Sequence, residues 1–453
     1  MAFKRHGFPR PRPRGRGGRL LKSGLTAAAA LALIWAVSAG SGFNPGARLL
    51  SVFRPSALSA SAQPEVEVRP AASAEAESGQ AAVLLKKDLA GLIGAGPLTM
   101  DEGRILEISD QDGHLLYVRA TLEPALQAKA LAWVKASRAY QAALVVMDPD
   151  NGEVLALAGY RADGEPSNAA LAGSFPAASL FKIVTAAAAL ESADMSADSK
   201  VSYDGGKHTL FKDNVISAPD QGAQAATLKE GFAESINTVF GKLGAFTLGP
   251  RELADFAGRF GFNHDIEFEL PVEPSSFSVA DEADPFNVAE LASGFNRETR
   301  VSPLHGAMMA AVVISGGRLT EPSLVREVFD RDNHIYYQHQ ASAPSQAISR
   351  ETAAELAALM RSTVEDGTGR RTFNTAKTDP VLSKLIIGGK SGTINNEEGA
   401  RVDWFVAWAA PRQQTPPARR LALSAVVVHG GGAAAASQSL VRDAVKFYFS
   451  GQK

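Results

Sequence analysis

The sequence predicts an α/β protein of the α+β kind, in which an antiparallel sheet is covered by helices and joined to a helical lobe. Three observations predict it. An apolar run, Ala142-Ala143-Leu144-Val145-Val146-Met147, turns at Asp148-Pro149-Asp150-Asn151-Gly152 into a second run from Glu153 to Ala158, so a hairpin opens the main body. Strand patterns return near the end, at 385–387, 402–408 and 421–428. Between them the apolar spacing is helical, with runs at 181–191, 227–243, 250–260, 288–293, 303–315 and 350–364, and a closing helix is expected over 433–449. Strands at both ends with helices inserted between them suit one sheet with helices packed around it.

The segments before this body differ in kind. Residues 1–22 hold eight Lys or Arg residues and no acid, so a tail of +8 leaves −10 on the rest of a chain whose net charge is −2. A body that acidic makes nucleic acid a poor partner. The uncharged stretch 23–43 would run about 30 Å as a helix, enough to cross a bilayer core. Its basic flank is expected to stay in the cytoplasm, which puts the body on the far side of the cytoplasmic membrane. A cleaved signal peptide, processed near Val37-Ser38-Ala39, is the alternative; the length of the basic head favours a retained anchor. Residues 44–80, rich in Ala, Ser, Pro and Glu, read as a disordered tether. A small introductory subdomain is expected over 81–140, with a helical pattern at 84–93, a strand at 115–120 and a helix capped by Thr121 with Pro124 in its first turn. The main domain is then 141–451. The chain has no cysteine, so no disulfide can form. Its eight histidines show no metal-ligand spacing and no glycine loop suits a phosphate, so neither a metal nor a cofactor is expected.

The chemistry is concentrated in three short motifs. Ser179-Leu180-Phe181-Lys182 places a hydroxyl and an amine three residues apart, on one face of the expected helix and within reach of each other. Ser235-Ile236-Asn237 follows 56 residues later, and Lys390-Ser391-Gly392-Thr393 a further 155 residues on, in strand-like surroundings. Each alone has a plain explanation. Ser179 could cap a helix, Lys182 could be solvated, Ser235 and Asn237 could form a turn, and Gly392 could serve a bulge. Taken together, the plain explanations must make three motifs in this order coincide by accident.

With these motifs the chain resembles the penicillin-binding protein transpeptidases. The resemblance covers about residues 142–448 and includes further segments: the hairpin at 148–156, Ser302-Pro303-Leu304-His305, Asp366-Gly367-Thr368-Gly369, Trp404-Phe405-Val406-Ala407-Trp408, and the introductory Thr121-Leu122-Glu123-Pro124-Ala125-Leu126-Gln127. It departs from the usual pattern in reading Pro176-Ala177-Ala178 before Ser179 and in carrying Ser at position 391, and neither change removes a catalytic group. The resemblance implies the penicillin-binding transpeptidase and β-lactamase-like fold. It also implies a monofunctional D,D-transpeptidase acting on peptidoglycan stem peptides that end in D-Ala-D-Ala, with β-lactams as covalent inhibitors and other cell-wall synthesis proteins as candidate partners.

Within that expectation Ser179 is the nucleophile, and Lys182 is the base if burial and the nearby charge of Lys390 keep it neutral. Ser235 would relay a proton to the leaving amine, and Asn237 would hold Lys182 and a substrate amide. The resemblance makes the backbone N–H groups of Ser179 and Thr393 the oxyanion hole, and Lys390, Ser391, Gly392 and Thr393 the grip on a free carboxylate. Asp403 and Glu234 are read as surface or supporting residues. Two rivals share the motifs: a D,D-carboxypeptidase or class D-like β-lactamase, which passes the acyl group to water, and a β-lactam sensor or cell-wall scaffold. The anchor makes its own prediction: the full-length protein sediments with membranes and keeps its N-terminus, whereas a soluble product beginning at Gly40 would overturn it.

Overall fold

A computed structural model of the protein describes residues 84–93, 105–109 and 113–451, except 165–166, 218–222, 280–283, 341–342, 414–418 and 433. The expected basic tail, anchor and tether lie outside the described residues. Among the described residues no helix is long and apolar enough to cross a membrane.

Nine strands build the two larger sheets: β1 (Ile105–Ser109), β2 (Leu115–Ala120), β3 (Gln141–Met147), β4 (Val154–Arg161), β5 (Val325–Phe329), β6 (Ile335–Gln338), β7 (Leu385–Asn395), β8 (Arg401–Pro411) and β9 (Leu421–Val428). The helices that matter for the site are α1 (Pro124–Ala136), α2 (Lys182–Ser192), α3 (Leu228–Ala233), α4 (Asn237–Lys242), α5 (Gly249–Arg259), α6 (Pro285–Ser293), α7 (Pro303–Ile314), α8 (Arg350–Glu365) and α9 (Ser437–Ser450).

The five-stranded sheet has the order β7-β8-β9-β3-β4 and is antiparallel throughout. It joins the hairpin at the start of the body to the three strands near the end. Alternate residues of its strands enter two separate cores, as the period of two requires. Ala143, Val145, Trp404, Val406 and Val426 pack with the helical lobe, including Phe181, Ile183 and Met309. Leu144, Val146, Phe405, Ala407 and Leu423 face the other way, onto Leu126 and Val134 of α1 and Leu440 and Val441 of α9. Helix α7 is apolar on every side, and every residue from Pro303 to Val313 is buried, so it fills the centre of the lobe against the sheet. The antiparallel sheet flanked by helices is the architecture the sequence predicts.

The stretch 81–140 contributes to both bodies. Strands β1 and β2 join β5 and β6 in a four-stranded antiparallel sheet, while α1 packs on the main sheet. The small sheet buries Leu116, Val118, Val325, Val328 and Tyr337 around Leu84 and Leu89. Thr121 does not cap α1: its hydroxyl donates to the carbonyls of Val154 (2.7 Å) and Ser323 (3.1 Å), and α1 begins after Glu123, which makes no side-chain cap. At the buried crossing of two chain segments the Thr121 hydroxyl donates to carbonyls instead of accepting from the free N–H groups of the helix end.

A second difference bears on the site. The single helix expected over 227–243 is split into α3 and α4 by Ser235, whose φ is +57°. Thr227 and Glu230 form a reciprocal capping box at the start of α3. The break then lets Asn237 N–H donate to the Lys207 carbonyl at 2.7 Å, which turns α4 toward α2.

At the end of α6 the chain reverses through Gly294, with φ +67°. A Cβ there would fall 1.8 Å from the Ala178 carbonyl oxygen and 3.1 Å from the Ser179 nitrogen. Gly294→Ala is expected to cost more than about 2 kcal/mol, because backbone beside Ser179 must move. Gly249→Ala, also at positive φ (+77°) but with nothing within 4 Å of its Cβ, is expected to cost about 1 kcal/mol. Urea unfolding of the two variants checks the difference; equal losses would show that the 178–179 backbone yields freely.

Candidate active site

Ser179 lies on a 3-10 turn, Ala178–Phe181, which runs directly into α2. Ala178, just before it, is held at φ +49°, and the strand segment carrying Gly392 presses on the same turn. A Cβ on Gly392 would sit 3.2 Å from the Ala178 Cβ and 3.4 Å from the Ser179 nitrogen, so residue 392 stays small. Trp404 of β8 fixes the approach from behind, donating from Nε1 to the Pro176 carbonyl at 2.9 Å and packing edge-on against Phe175. Six non-glycine residues are described at positive φ, and two of them, Ala178 and Ser235, adjoin or form this site. Strain concentrated there is the usual signature of a functional constraint.

Lys182 is fully buried, although it is the first residue of α2. Its Nζ lies 2.8 Å from Ser179 Oγ, 2.8 Å from Asn237 Oδ1 and 2.5 Å from the Ser293 carbonyl at the end of α6. Burial first, and then the charge of Lys390, drive its pKa well below the usual lysine range. A neutral amine has two hydrogens and one lone pair. Asn237 and Ser293 take the hydrogens, which leaves the lone pair for the Ser179 hydroxyl. This arrangement can draw the proton from Ser179 with no further group.

Lys390 is equally buried, and burial lowers its pKa to about 7. Its Nζ donates to Ser235 Oγ at 2.8 Å and to the Ser391 carbonyl at 2.9 Å. The two amines face aromatic rings, Lys182 at 5.6 Å from the Phe240 centroid and Lys390 at 5.5 Å from that of Phe232. Asn237 is held from both ends, because its Nδ2 donates to the His208 carbonyl at 2.9 Å. Strand β7 is an edge of the main sheet, and it brings Lys390 to Thr393 alongside the Ser179 turn. Ser179 and Ser391 are partly open and Thr393 is exposed, while Lys182, Ser235, Asn237, Lys390 and Gly392 are buried. The cleft thus has reactive hydroxyls at its lip and amines in its floor.

All eight residues singled out in the sequence therefore meet in one cleft. The sequence reading missed the Ser293 carbonyl, because a backbone atom leaves no mark in residue type. It also missed a role for Thr368, whose Oγ1 lies 2.6 Å from Ser391 Oγ, although the segment containing it stood out. Asp403 is buried, with its carboxylate bonded to Thr393 and Ser437, and is no surface residue. Glu234 is half exposed and pairs with Lys207. Away from the cleft, Asp330, Asp332 and His334 cluster at the β5–β6 turn, where the Asp330 carboxylate accepts from the backbone N–H groups of Asp332 and His334 and closes the turn.

With this geometry in hand, comparison with known proteins is decisive on family. The penicillin binding protein transpeptidase domain model matches residues 142–446. The chain belongs to the penicillin-binding protein transpeptidase family. Among relatives of the chain, stage V sporulation protein D of Bacillus subtilis is 27% identical over 263 residues, 55% of this chain and 39% of the relative. The peptidoglycan D,D-transpeptidase PbpA of Mycobacterium tuberculosis is 28% identical over 277 residues, 57% of this chain and 52% of that protein. The chain thus spans about half or less of the length of these relatives. Of solved structures, the D,D-transpeptidase domain of a peptidoglycan glycosyltransferase from Eggerthella lenta is similar with TM-score 0.59 and 27% identity, over 74% of this chain and 83% of that one. Penicillin binding protein 3 of Mycobacterium tuberculosis, solved with aztreonam, shares the fold at TM-score 0.61 and 20% identity, over 78% of this chain and 88% of that one.

The buried amines of this site leave a measurable trace in stability. Lys390 has a folded pKa of about 7 against a usual value of 10.5, so between those limits the unfolded chain binds more protons than the folded one. Stability contributed by this group is therefore lowest below pH 7 and rises with pH. Relative to Lys390→Met, the parent protein is expected to gain about 1.4 kcal/mol per pH unit from pH 7 toward 10. Denaturant unfolding across that range checks it, and a flat difference would show that Lys390 is not desolvated.

Proposed function

We propose that this chain is a membrane-anchored D,D-transpeptidase of peptidoglycan synthesis that works through a serine acyl-enzyme. The observation that supports it best is the enclosed Lys182 amine 2.8 Å from Ser179 Oγ, with its other two partners already satisfied. Lys182 takes the Ser179 proton as Oγ attacks the carbonyl of the penultimate D-alanine. The oxyanion of the tetrahedral intermediate is met by the N–H groups of Ser179 and Thr393. The C–N bond breaks, and the departing D-alanine amine receives a proton through Ser235, which hydrogen-bonds to Lys390. The amine of a neighbouring stem peptide then attacks the Ser179 ester, restores the hydroxyl and completes the cross-link. The substrate's terminal carboxylate is gripped by Lys390, Ser391 and Thr393. Asn237, fixed by Lys182 and the His208 carbonyl, orients the donor amide.

A β-lactam follows the same first step, and its ring-opened acyl group stays on Ser179. Mass spectrometry of the protein after brief exposure to a β-lactam tests this: one adduct per chain on the Ser179 peptide, absent in Ser179→Ala and formed roughly 100-fold or more slowly in Lys182→Ala. Rapid turnover of the β-lactam would instead assign the acyl group to water and overturn the transpeptidase reading. The pH profile follows from the lysine environment. Acylation needs neutral Lys182, so its rate falls as pH drops through that depressed pKa. Lys390→Met removes a charge that lowers the pKa of Lys182, so in that variant the acid limb is expected to move to higher pH.

A further inference from the structure

The carboxylate grip rests on a layer of side chains that lies outside the three motifs. The β7–β8 register sets Thr393 opposite Asp403, so the two side chains share one face of the sheet. Thr393 Oγ1 donates to Asp403 Oδ1 at 3.3 Å. The other carboxylate oxygen of Asp403 accepts from the backbone nitrogen of Ser437 at 3.1 Å and from its hydroxyl at 3.2 Å. Two residues away on β7, Ser391 Oγ pairs with Thr368 Oγ1 at 2.6 Å. Thr368 is tied to the next residue of the same helix: Gln438 Nε2 donates to its carbonyl at 3.4 Å, while Gln438 Oε1 accepts from Thr372 Oγ1 at 2.8 Å.

The Thr393 and Ser391 side chains are therefore both backed by the first turn of α9, one through Asp403 and Ser437, the other through Thr368 and Gln438. We propose that Thr368, anchored on that turn through Gln438, is a positioning residue that orients the Ser391 hydroxyl for a carboxylate ligand, while Asp403, anchored through Ser437, fixes the Thr393 side chain by accepting its one hydrogen.

The electrostatics make the arrangement specific. Asp403 is an anion close to where another anion has to bind. Its charge is met by two donors of Ser437 at the N-terminus of α9 and by Arg401 at 3.7 Å, which limits repulsion of the ligand. A carboxylate only accepts, so Asp403 takes the single hydrogen of the Thr393 hydroxyl and holds that side chain, and the hydroxyl hydrogen offered to a ligand comes from Ser391. The Ser391 and Thr368 hydroxyls share one hydrogen between them, and the second hydrogen remains available to a ligand oxygen.

This inference rests on the proposed carboxylate grip, and the test separates the two. Acylation rates are measured with benzylpenicillin and with its methyl ester, which lacks the anionic carboxylate, on the parent protein and on Thr368→Val, Gln438→Leu and Thr368→Ser. The parent is expected to favour the acid. Thr368→Val and Gln438→Leu are expected to slow the acid roughly ten-fold and the ester less than about two-fold, and Thr368→Ser to restore the preference. Equal slowing of both ligands, or an unchanged preference, would overturn the positioning role while leaving the grip in place. A parent protein that shows no preference for the acid would overturn the grip itself, and this inference with it.

Discussion

The rest of the cleft is organised around the enclosure of two amines within electrostatic range of each other. Lys182 and Lys390 are both completely buried, and neither has a carboxylate within ion-pair distance among the described residues. An isolated ammonium in such a place is very unfavourable, and the response is a shift toward the neutral form. What surrounds the amines suits that form. Neutral oxygens of Asn237, Ser293, Ser235 and Ser391 accept their hydrogens, and the rings of Phe232 and Phe240 close the sides. Had an aspartate occupied one of these positions, Lys182 would remain charged and its lone pair would be unavailable.

Holding acceptors in those places demands backbone that relaxed helices do not supply. The break at Ser235 takes Asn237 out of the line of α3, and the left-handed turn at Gly294 aims the last carbonyls of α6 at α2. Ala178 accepts positive φ so that the 3-10 turn can hold Ser179 against β7. The positive φ values at Ser235 and Ala178 are each unfavourable by an amount on the order of 1 kcal/mol, whereas Gly294 adopts its own freely, and the large apolar core on which they sit makes the strain tolerable. The site is thus locally strained and set in a rigid frame, the arrangement expected where geometry must be held to fractions of an ångström.

The frame also explains the separation between lip and floor. Because β7 is an edge strand, Ser391 and Thr393 can meet a ligand while Lys390, between the sheet and α3, cannot leave. Helix α9 closes the far side of the sheet and reaches the same edge with its first turn. One helix thereby contributes to the apolar core along its length and to polar organisation at its start.

Much of this was legible in the sequence because it depends on short-range rules. Period-two and helical spacing marked the strands and helices, and the three-residue separation of Ser179 and Lys182 alone brings their side chains together on one turn. The order of the three motifs marked the family, and the match over 142–446 agrees. Tertiary structure decided the rest. Apolar spacing ran unbroken through 227–243, so the φ of +57° at Ser235 left no local signal; it accompanies a backbone bond from Asn237 to the Lys207 carbonyl, a contact distant in sequence. Thr121 looked like a cap because residue type is blind to the carbonyls that tertiary contact brings near it. Which lysines lose their charge, which carbonyl receives a hydrogen from Lys182, and that Asp403 lies buried behind Thr393 are all set by long-range enclosure. Residue identity specifies which groups are present, and only packing specifies the dielectric and partners that give those groups their chemistry.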